Sequence, residues 1–352
     1  MLLVMNIREI FFKTKDKVHK IFWADQKGTV STDRYFRKYK SYWHYLHQIK
    51  QNQKNKKYKK AEQTVVRYLA ARPNPGAGIG HQMANWMAGY WYAGFFHLSF
   101  AHIPFSNSHI PGSSNKWENF LGFGRQETKF ETLKQRGYKV VRLPEFDEKS
   151  ELEIGKIREV IQSYKDNEKV VFLLEQDQFL KDLFLIQKDI KDKFYNNPER
   201  NVNKLIFDMD CYNIAIHIRR GDIVQNTKAA ENQNLTMRWL DNGYYSNVLK
   251  QVLQKIATNK TIAVYIFSQG SRSDFMEFEK IEQIHFCLNM KETDSFYHMV
   301  MADLLITSKS SFSYKPALLS KGIKVCPANF WHGYPEKPDW WMADDYGNLL
   351  IK

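Results

Sequence analysis

From Thr64 onward the chain alternates short apolar runs with longer amphipathic stretches, and this alternation constrains the fold more than any other feature. Runs at Thr64–Leu69, His97–Ile103, Tyr138–Leu143 and Lys169–Leu174 read as strands. Helical spacing fills His81–Phe95, Lys149–Tyr164 and Phe179–Phe194 between them. A polar stretch with one proline, Asn196–Asn203, reads as a linker. Beyond it, Tyr212–Ile218, Thr261–Ser268, Ile284–Leu288, Leu304–Thr307 and Ile323–Cys326 read as buried strands. Helical patterns at Gly243–Ala257, Ser273–Ile281, Asp294–Met301 and Phe312–Leu319 separate them. Parallel strands need crossover connections, so this order predicts parallel sheets covered by helices on both faces. No internal repeat is visible. The expected organisation is a basic segment over 1–62, one α/β domain over 63–200 and a second over 204–352. Two such halves imply a ligand cleft served by loops at the strand C-termini.

Composition narrows the class. The chain has 352 residues, 43% of them apolar and 26% charged, which suits a globular protein of about two domains. Its mean hydropathy is −0.54, and no run of about 18 apolar residues occurs, which excludes a polytopic membrane protein. Met1–Met5 is too short for a signal core, so no secretory signal is read. Cys211, Cys287 and Cys326 are few, odd in number and far apart. They predict buried apolar thiols in a reducing compartment, with neither a disulfide scaffold nor a structural zinc site.

The net charge of +14 is unevenly placed. Residues 1–60 hold 16 Lys and Arg against 4 Asp and Glu, and the rest hold 36 against 34. A nearly neutral body with a basic arm argues against a nucleic-acid-binding core. Leu3, Ile7, Ile10, Phe11, Val18, Ile21 and Phe22 recur at helical steps with lysines between them. That pattern fits an amphipathic helix on an anionic membrane surface, and equally one packed on its own domain. The expected location is cytoplasmic, peripheral on the inner face of a membrane.

The strongest chemical signal is His217-Ile218-Arg219-Arg220-Gly221-Asp222, directly after the apolar run Ile214–Ile216. Two adjacent arginines at a strand end are costly to hold together without an anion between them, and their planar forks suit phosphate. Asp222 can hold one guanidinium, and Gly221 permits a tight turn. A second signal is the glycine-rich loop containing Gly76, Gly78 and Gly80, which lies between a predicted strand and a predicted helix. No acidic residue follows about twenty positions on, so a dinucleotide-binding fold is disfavoured.

H-x-R-R-x-D resembles the hallmark of the GDP-fucose-dependent fucosyltransferase superfamily, and HIRRGD followed by Gly243-Tyr244-Tyr245 is most similar to the α1,2 branch. The resemblance continues in Tyr265-Ile266-Phe267-Ser268 and in Ala302–Ser313, which carries a Ser-Ser pair before a helix. Gly78-Ile79-Gly80-His81-Gln82 resembles the family's glycine-rich loop, with His81 where asparagine is usual.

The resemblance implies a GT-B-like fold of two Rossmann-like domains facing a cleft, and inverting, metal-independent transfer of fucose from GDP-fucose to a glycan hydroxyl. The implied partners are the nucleotide-sugar donor and a glycan acceptor, in surface polysaccharide or glycoconjugate synthesis. No other cofactor and no nucleic acid is implied. Arg219 would grip the β-phosphate, with Arg220 and Asp222 supporting the loop and His217 beside the nucleotide. Ser310 and Ser311 would bind the diphosphate, and Asp294 or Ser295 falls near the position that reads guanine. Gly78, Gly80, His81 and Gln82 would approach the donor. The base is open among Asp222, Glu231 and His81, because Thr227 stands where the α1,6 branch keeps a glutamate.

Other readings stay in view. Asp208-Met209-Asp210 after Leu205–Phe207 could mark a metal-dependent transferase. A same-fold transferase with a protein acceptor or another donor is possible in chemistry, as is a catalytically silent nucleotide-sugar or glycan-binding protein. A nucleic-acid binder would use residues 1–60. The aromatic groups Phe330-Trp331-His332-Gly333-Tyr334 and Trp340-Trp341 suit sugar stacking, and suit ordinary packing better.

Overall fold

The computed structural model describes residues 65–72, 77–105, 115–175, 183–200, 205–221, 236–331 and 333–350. The basic segment at 1–62, Asp222, Thr227 and Glu231 lie outside them, so the membrane-docking expectation has no structural counterpart here. No helix among the described residues is long and apolar enough to cross a membrane.

The described residues form two compact units. One takes those within Met1–Asn74, Ala84–Pro104 and Gln126–Leu180, and the other those within Pro75–Met83, Phe105–Arg125 and Lys181–Lys352.

The first unit is built on β1 (Tyr68–Ala71), β2 (Ser99–His102), β3 (Thr128–Lys129), β4 (Lys139–Arg142) and β5 (Val170–Leu174). They form one sheet in the order β3-β2-β1-β5-β4, and every pairing is parallel. β5 is buried at every position, as a parallel strand covered on both faces must be. Helix α1 (Ile79–Phe95) begins in the second unit and runs into the first. α2 (Asn115–Leu121) belongs to the second unit, and α3 (Phe130–Gln135) and α4 (Glu151–Ser163) to the first. Ser150 caps α4 by accepting from Glu153 N at 3.3 Å. Ala70, Ala101, Phe130, Leu133, Val171 and Leu173 make a core cluster here.

The second unit carries β6 (Tyr212–His217), β7 (Ile262–Ser268), β8 (Ile284–Leu288), β9 (Leu304–Ile306), β10 (Ile323–Pro327) and β11 (Trp340–Ala343). Their order is β11-β10-β9-β6-β7-β8, again parallel throughout. Its helices are α5 (Gln187–Tyr195), α6 (Asn242–Lys255), α7 (Glu292–Met301) and α8 (Ser311–Leu319). The central strands β6, β7 and β9 are almost wholly buried, whereas the edge strand β8 is buried only at Cys287. Asp241 caps α6 by accepting from Tyr244 N at 2.8 Å. Two parallel α/β sheets are the architecture expected from the sequence.

Several elements differ from expectation. The described part of the expected helix Phe179–Phe194 is a 3-10 turn over Leu183–Ile186 followed by α5, and Ser273–Ile281 is largely a 3-10 stretch over Arg272–Phe278. The aromatic pair Trp340-Trp341 opens edge strand β11 beside β10. The three cysteines are buried and free, and burial pushes the thiols of Cys287 and Cys326 up to about 12. Such thiols stay protonated and inert.

One packing device bears on function. The last carbonyls of α8 lack intrahelical partners, and α5 supplies them from one stripe at four-residue steps. Gln187 Nε2 donates to Leu318 O at 3.0 Å, Tyr195 OH to Leu319 O at 3.2 Å, and Lys191 Nζ to Ser320 O at 2.7 Å. A cation at a helix C-terminus also suits the helix dipole. α8 is therefore held at its far end, while its N-terminus faces the candidate site.

Candidate functional site at the end of the second sheet

β6 is the first strand of its sheet in the chain and β9 the fourth, yet they lie side by side. The chain lays β7 and β8 to one side of β6, then crosses back to lay β9, β10 and β11 on the other. Loops leaving β6 and β9 must therefore diverge, and a crevice opens at the strand C-termini between them, where open α/β sheets bind ligands.

The sequence motif sits at that point. The register pairs Ile216 with Ile306, so His217 leaves β6 as Thr307 leaves β9. His217 Nδ1 lies 2.7 Å from Ser308 Oγ, and Arg219 Nη1 donates to Ser310 Oγ at 3.0 Å. Ser310 also accepts from Phe312 N at 3.2 Å, which makes it the N-cap of α8. Gly221 has φ +58, and a Cβ there would fall 1.8 Å from Gln269 Oε1, so the turn after the arginines requires glycine.

A cavity of about 430 Å³ opens here, and every residue lining it belongs to the second unit. The expected residues Gly78, Gly80, His81, His217, Arg219, Arg220, Ser310 and Ser311 all line it. Gly80 explains how the glycine-rich loop comes so close: a Cβ there would stand 2.7 Å from the backbone carbon of Ser311. The first turns of α1 and α8 thus abut, and helix N-termini offer N–H groups and a positive dipole end to anions.

Other expected residues fall elsewhere. Gln82 is buried and donates to Ala77 O at 2.9 Å, bracing the loop from behind. Asp294 is not among the lining residues, and its carbonyl lies 2.7 Å from His298 Nδ1. Ser295, the other residue expected near that position, lines the cavity together with Glu292. They stand three residues apart and share a face of α7, whereas Asp294 projects from another. Asp208 and Asp210 precede β6, at the opposite end of the strand from the cavity. There Asp208 Oδ1 accepts from Asp210 N at 2.9 Å, a local turn that needs no metal to explain it. Among the described residues no group of three or more His, Cys, Asp or Glu is arranged to hold a metal ion.

The charges in the cavity differ in their commitments. His217 is buried at the cavity wall, and burial with Arg219 and Arg220 nearby pushes its imidazole down to about 3, so it is neutral at physiological pH. Arg220 donates to Arg219 O at 2.9 Å, Leu240 O at 3.1 Å and Asn242 Oδ1 at 2.6 Å. It therefore ties the motif to the start of α6. The hydrogen bond from Lys116, 2.8 Å away, holds the carboxyl of Glu292 below its usual range. Arg238, Gln269, Met290 and Glu292 also line the cavity and went unnoticed in the sequence, because nothing in their local spacing marks them.

No family profile and no curated protein sequence matches the chain. Among solved structures, the chain is similar to NodZ alpha-1,6-fucosyltransferase soaked with GDP-fucose, at 10% identity and TM-score 0.45, covering 73% of this chain and 93% of that one. It is similar to POFUT1 in complex with GDP at 13% identity and TM-score 0.47, covering 81% and 99%. A mutant of Arabidopsis thaliana FUT1 in complex with GDP matches at 11% identity and TM-score 0.42, covering 86% and 81%. With each of these TM-scores below 0.5, the likenesses carry no assignment.

Proposed function

We propose that the chain is a glycosyltransferase that moves fucose from GDP-fucose to a glycan hydroxyl with inversion. The observation that carries this reading is the meeting of Arg219 and Ser310 across the switch point of the second sheet, beside two helix N-termini. A guanidinium, a serine cap and helix N-termini together suit a diphosphate. Guanine and fucose come from the motif's resemblance to GDP-fucose-dependent enzymes.

In this mechanism the acceptor oxygen attacks C1 of the sugar as the bond from C1 to the β-phosphate oxygen breaks. The electron pair of that bond leaves with GDP, and Arg219 offsets the charge that builds there. Neutral His217, anchored on Ser308, fixes the strand end from which Arg219 projects. Glu292, rather than Asp294, is the carboxylate placed to accept from the N–H groups of guanine, with Ser295 beside it. His81 lines the cavity and is a candidate for taking the acceptor's proton.

Transfer from GDP-fucose is tested against free glycans and peptides, with wild type and Arg219→Ala. Turnover on glycans that falls about 100-fold or more in the variant supports the reading. Near-normal turnover in the variant overturns it. Turnover on peptides alone moves the acceptor to protein, and guanine-nucleotide binding without turnover on any acceptor marks a binding protein.

A further inference from the structure

Part of the cavity wall comes from the ends of two neighbouring strands, with Ser268 and Gln269 at the end of β7 and Met290 just past β8. The two strands pair in parallel as far as Ser268 and Leu288. Beyond that register their paths part, because β7 leads to the 3-10 stretch at Arg272–Phe278 and β8 to α7. Asn289 holds the two ends together. Its backbone N–H extends the ladder by donating to Ser268 O at 2.9 Å. Its side chain then clasps Gly270 twice: Oδ1 accepts from Gly270 N at 3.2 Å, and Nδ2 donates to Gly270 O at 2.9 Å.

Both partners of the clasp hold uncommon backbone. Asn289 has φ +54 and Gly270 has φ +127, where side chains of L-residues are disfavoured. Asparagine is one of the few residues besides glycine that tolerate this region, and its amide carries both the donor and the acceptor that the clasp uses. Backbone of this kind persists where surrounding bonds determine it, and it clusters at ligand sites. The clasp also reaches the motif, since Ser268 Oγ donates to Ile218 O at 2.7 Å, one residue before Arg219. Met290 follows Asn289 directly and Glu292 lies three residues on, and both line the cavity. The wall from Ser268 to Glu292 is thus pinned at one side chain.

We infer that Asn289 is a positioning residue that fixes the β7–α7 side of the cavity, and with it the affinity for the base of a nucleotide donor rather than for its phosphates. This rests on the nucleotide-sugar reading above, in which Glu292 meets the base while Arg219 and Ser310 meet the diphosphate. Without the clasp, the two strand ends must be ordered at the moment the base binds, and that cost appears as lost affinity.

The test is calorimetric titration of GDP, and of inorganic pyrophosphate by its displacement of GDP, with wild type, Asn289→Gly and Asn289→Asp. Glycine accepts φ +54 without strain, so Asn289→Gly removes the clasp and keeps the turn. Thermal melts confirm that each variant is folded. Asn289→Gly should weaken GDP by about 3- to 10-fold, the weight of ordering one or two residues, and leave pyrophosphate unchanged. Asn289→Asp keeps the acceptor for Gly270 N but loses the donor, so its GDP affinity should fall between the other two. Unchanged GDP affinity in folded Asn289→Gly, or equal weakening of GDP and pyrophosphate, would overturn the inference alone. A wild type that binds neither ligand would overturn the donor reading, and this inference with it.

Discussion

In the first unit the strand order reverses between β1 and β5, and the protein fills that point with its own charges. Glu175, its side chain 1% exposed, pairs with Arg72 at 2.8 Å and Arg142 at 3.2 Å, each at the C-terminal end of its strand. In the second unit the reversal lies between β6 and β9. There Arg219 reaches a neutral hydroxyl, Ser310, and both line an open cavity. The same topology thus carries a buried carboxylate between two partly exposed arginines in one sheet and a cavity in the other. A switch point that a buried carboxylate completes serves stability, and one that opens to solvent leaves room for a ligand's charge.

A second contrast concerns buried charge. The buried Glu175 pairs with Arg72 and Arg142, but Lys315 on α8 is fully buried and its Nζ has no hydrogen-bond partner among the described residues. Burial pushes this amine down to about 7 from its ordinary 10.5. Between those values the unfolded chain holds more protons than the folded one, so stability rises with pH across that window. Below it the penalty is complete, and above it the penalty vanishes.

Replacing Lys315 with methionine should therefore give the largest change. Each tenfold loss of proton affinity on folding costs about 1.4 kcal/mol, so Lys315→Met should stabilise the fold at pH 7 by several kcal/mol. Thermal melts from pH 6 to 10 would show a higher Tm at neutral pH and a flatter dependence than wild type. A lower Tm at pH 7 would mean that the amine has a stabilising partner in solution.

Glu175→Gln makes the first switch point resemble the second by leaving Arg72 and Arg142 without their carboxylate. A loss of about 2 kcal/mol is expected in urea unfolding, less than for a fully enclosed pair because both arginines are partly exposed. Nucleotide affinity should not change. If it fell as stability did, the two sheets would not differ in role.

The glycine-rich loop offers a paired test. Gly80→Ala forces a methyl against the backbone of Ser311, whereas nothing among the described residues lies within 4 Å of a Cβ at Gly78. Gly80→Ala should cost about 1–2 kcal/mol and weaken GDP binding by shifting the start of α8, while Gly78→Ala should do neither. Equal effects of the two would detach the loop from the site. The smallest effect is expected for Ser310→Ala, about 1 kcal/mol from the lost cap, with a few-fold loss of GDP affinity from the less restrained Arg219.

Much of this was legible in the sequence. The buried strands announced themselves as continuous apolar runs, and Ile284–Leu288 was read to the residue, because parallel strands hide both faces. His217 and Arg219 could be placed at a strand end because the run Ile214–Ile216 stops there. Short elements escaped: Thr128–Lys129 spans two residues and Phe130–Gln135 six, too few for a period to emerge. β11 was hidden because its tryptophans read as a packing patch. Arg238 and Glu292 escaped for a different reason. Their place in the cavity is set by the crossover from β8 to β9 and by the path after the motif, and neither leaves a local spacing. Asp294 misled because family position was followed where helix phase decides which side chain faces inward.

The central claim is that the second switch point is completed by a diphosphate. Its most direct measurement is thermal stabilisation of wild type and Arg219→Ala by GDP and by UDP, each with and without Mn²⁺. Wild type should gain about 2.7 kcal/mol at GDP 100-fold above its Kd, independent of metal, and Arg219→Ala at the same concentration should gain little. Full GDP stabilisation in Arg219→Ala, or a response of wild type to UDP only with metal, would contradict the account.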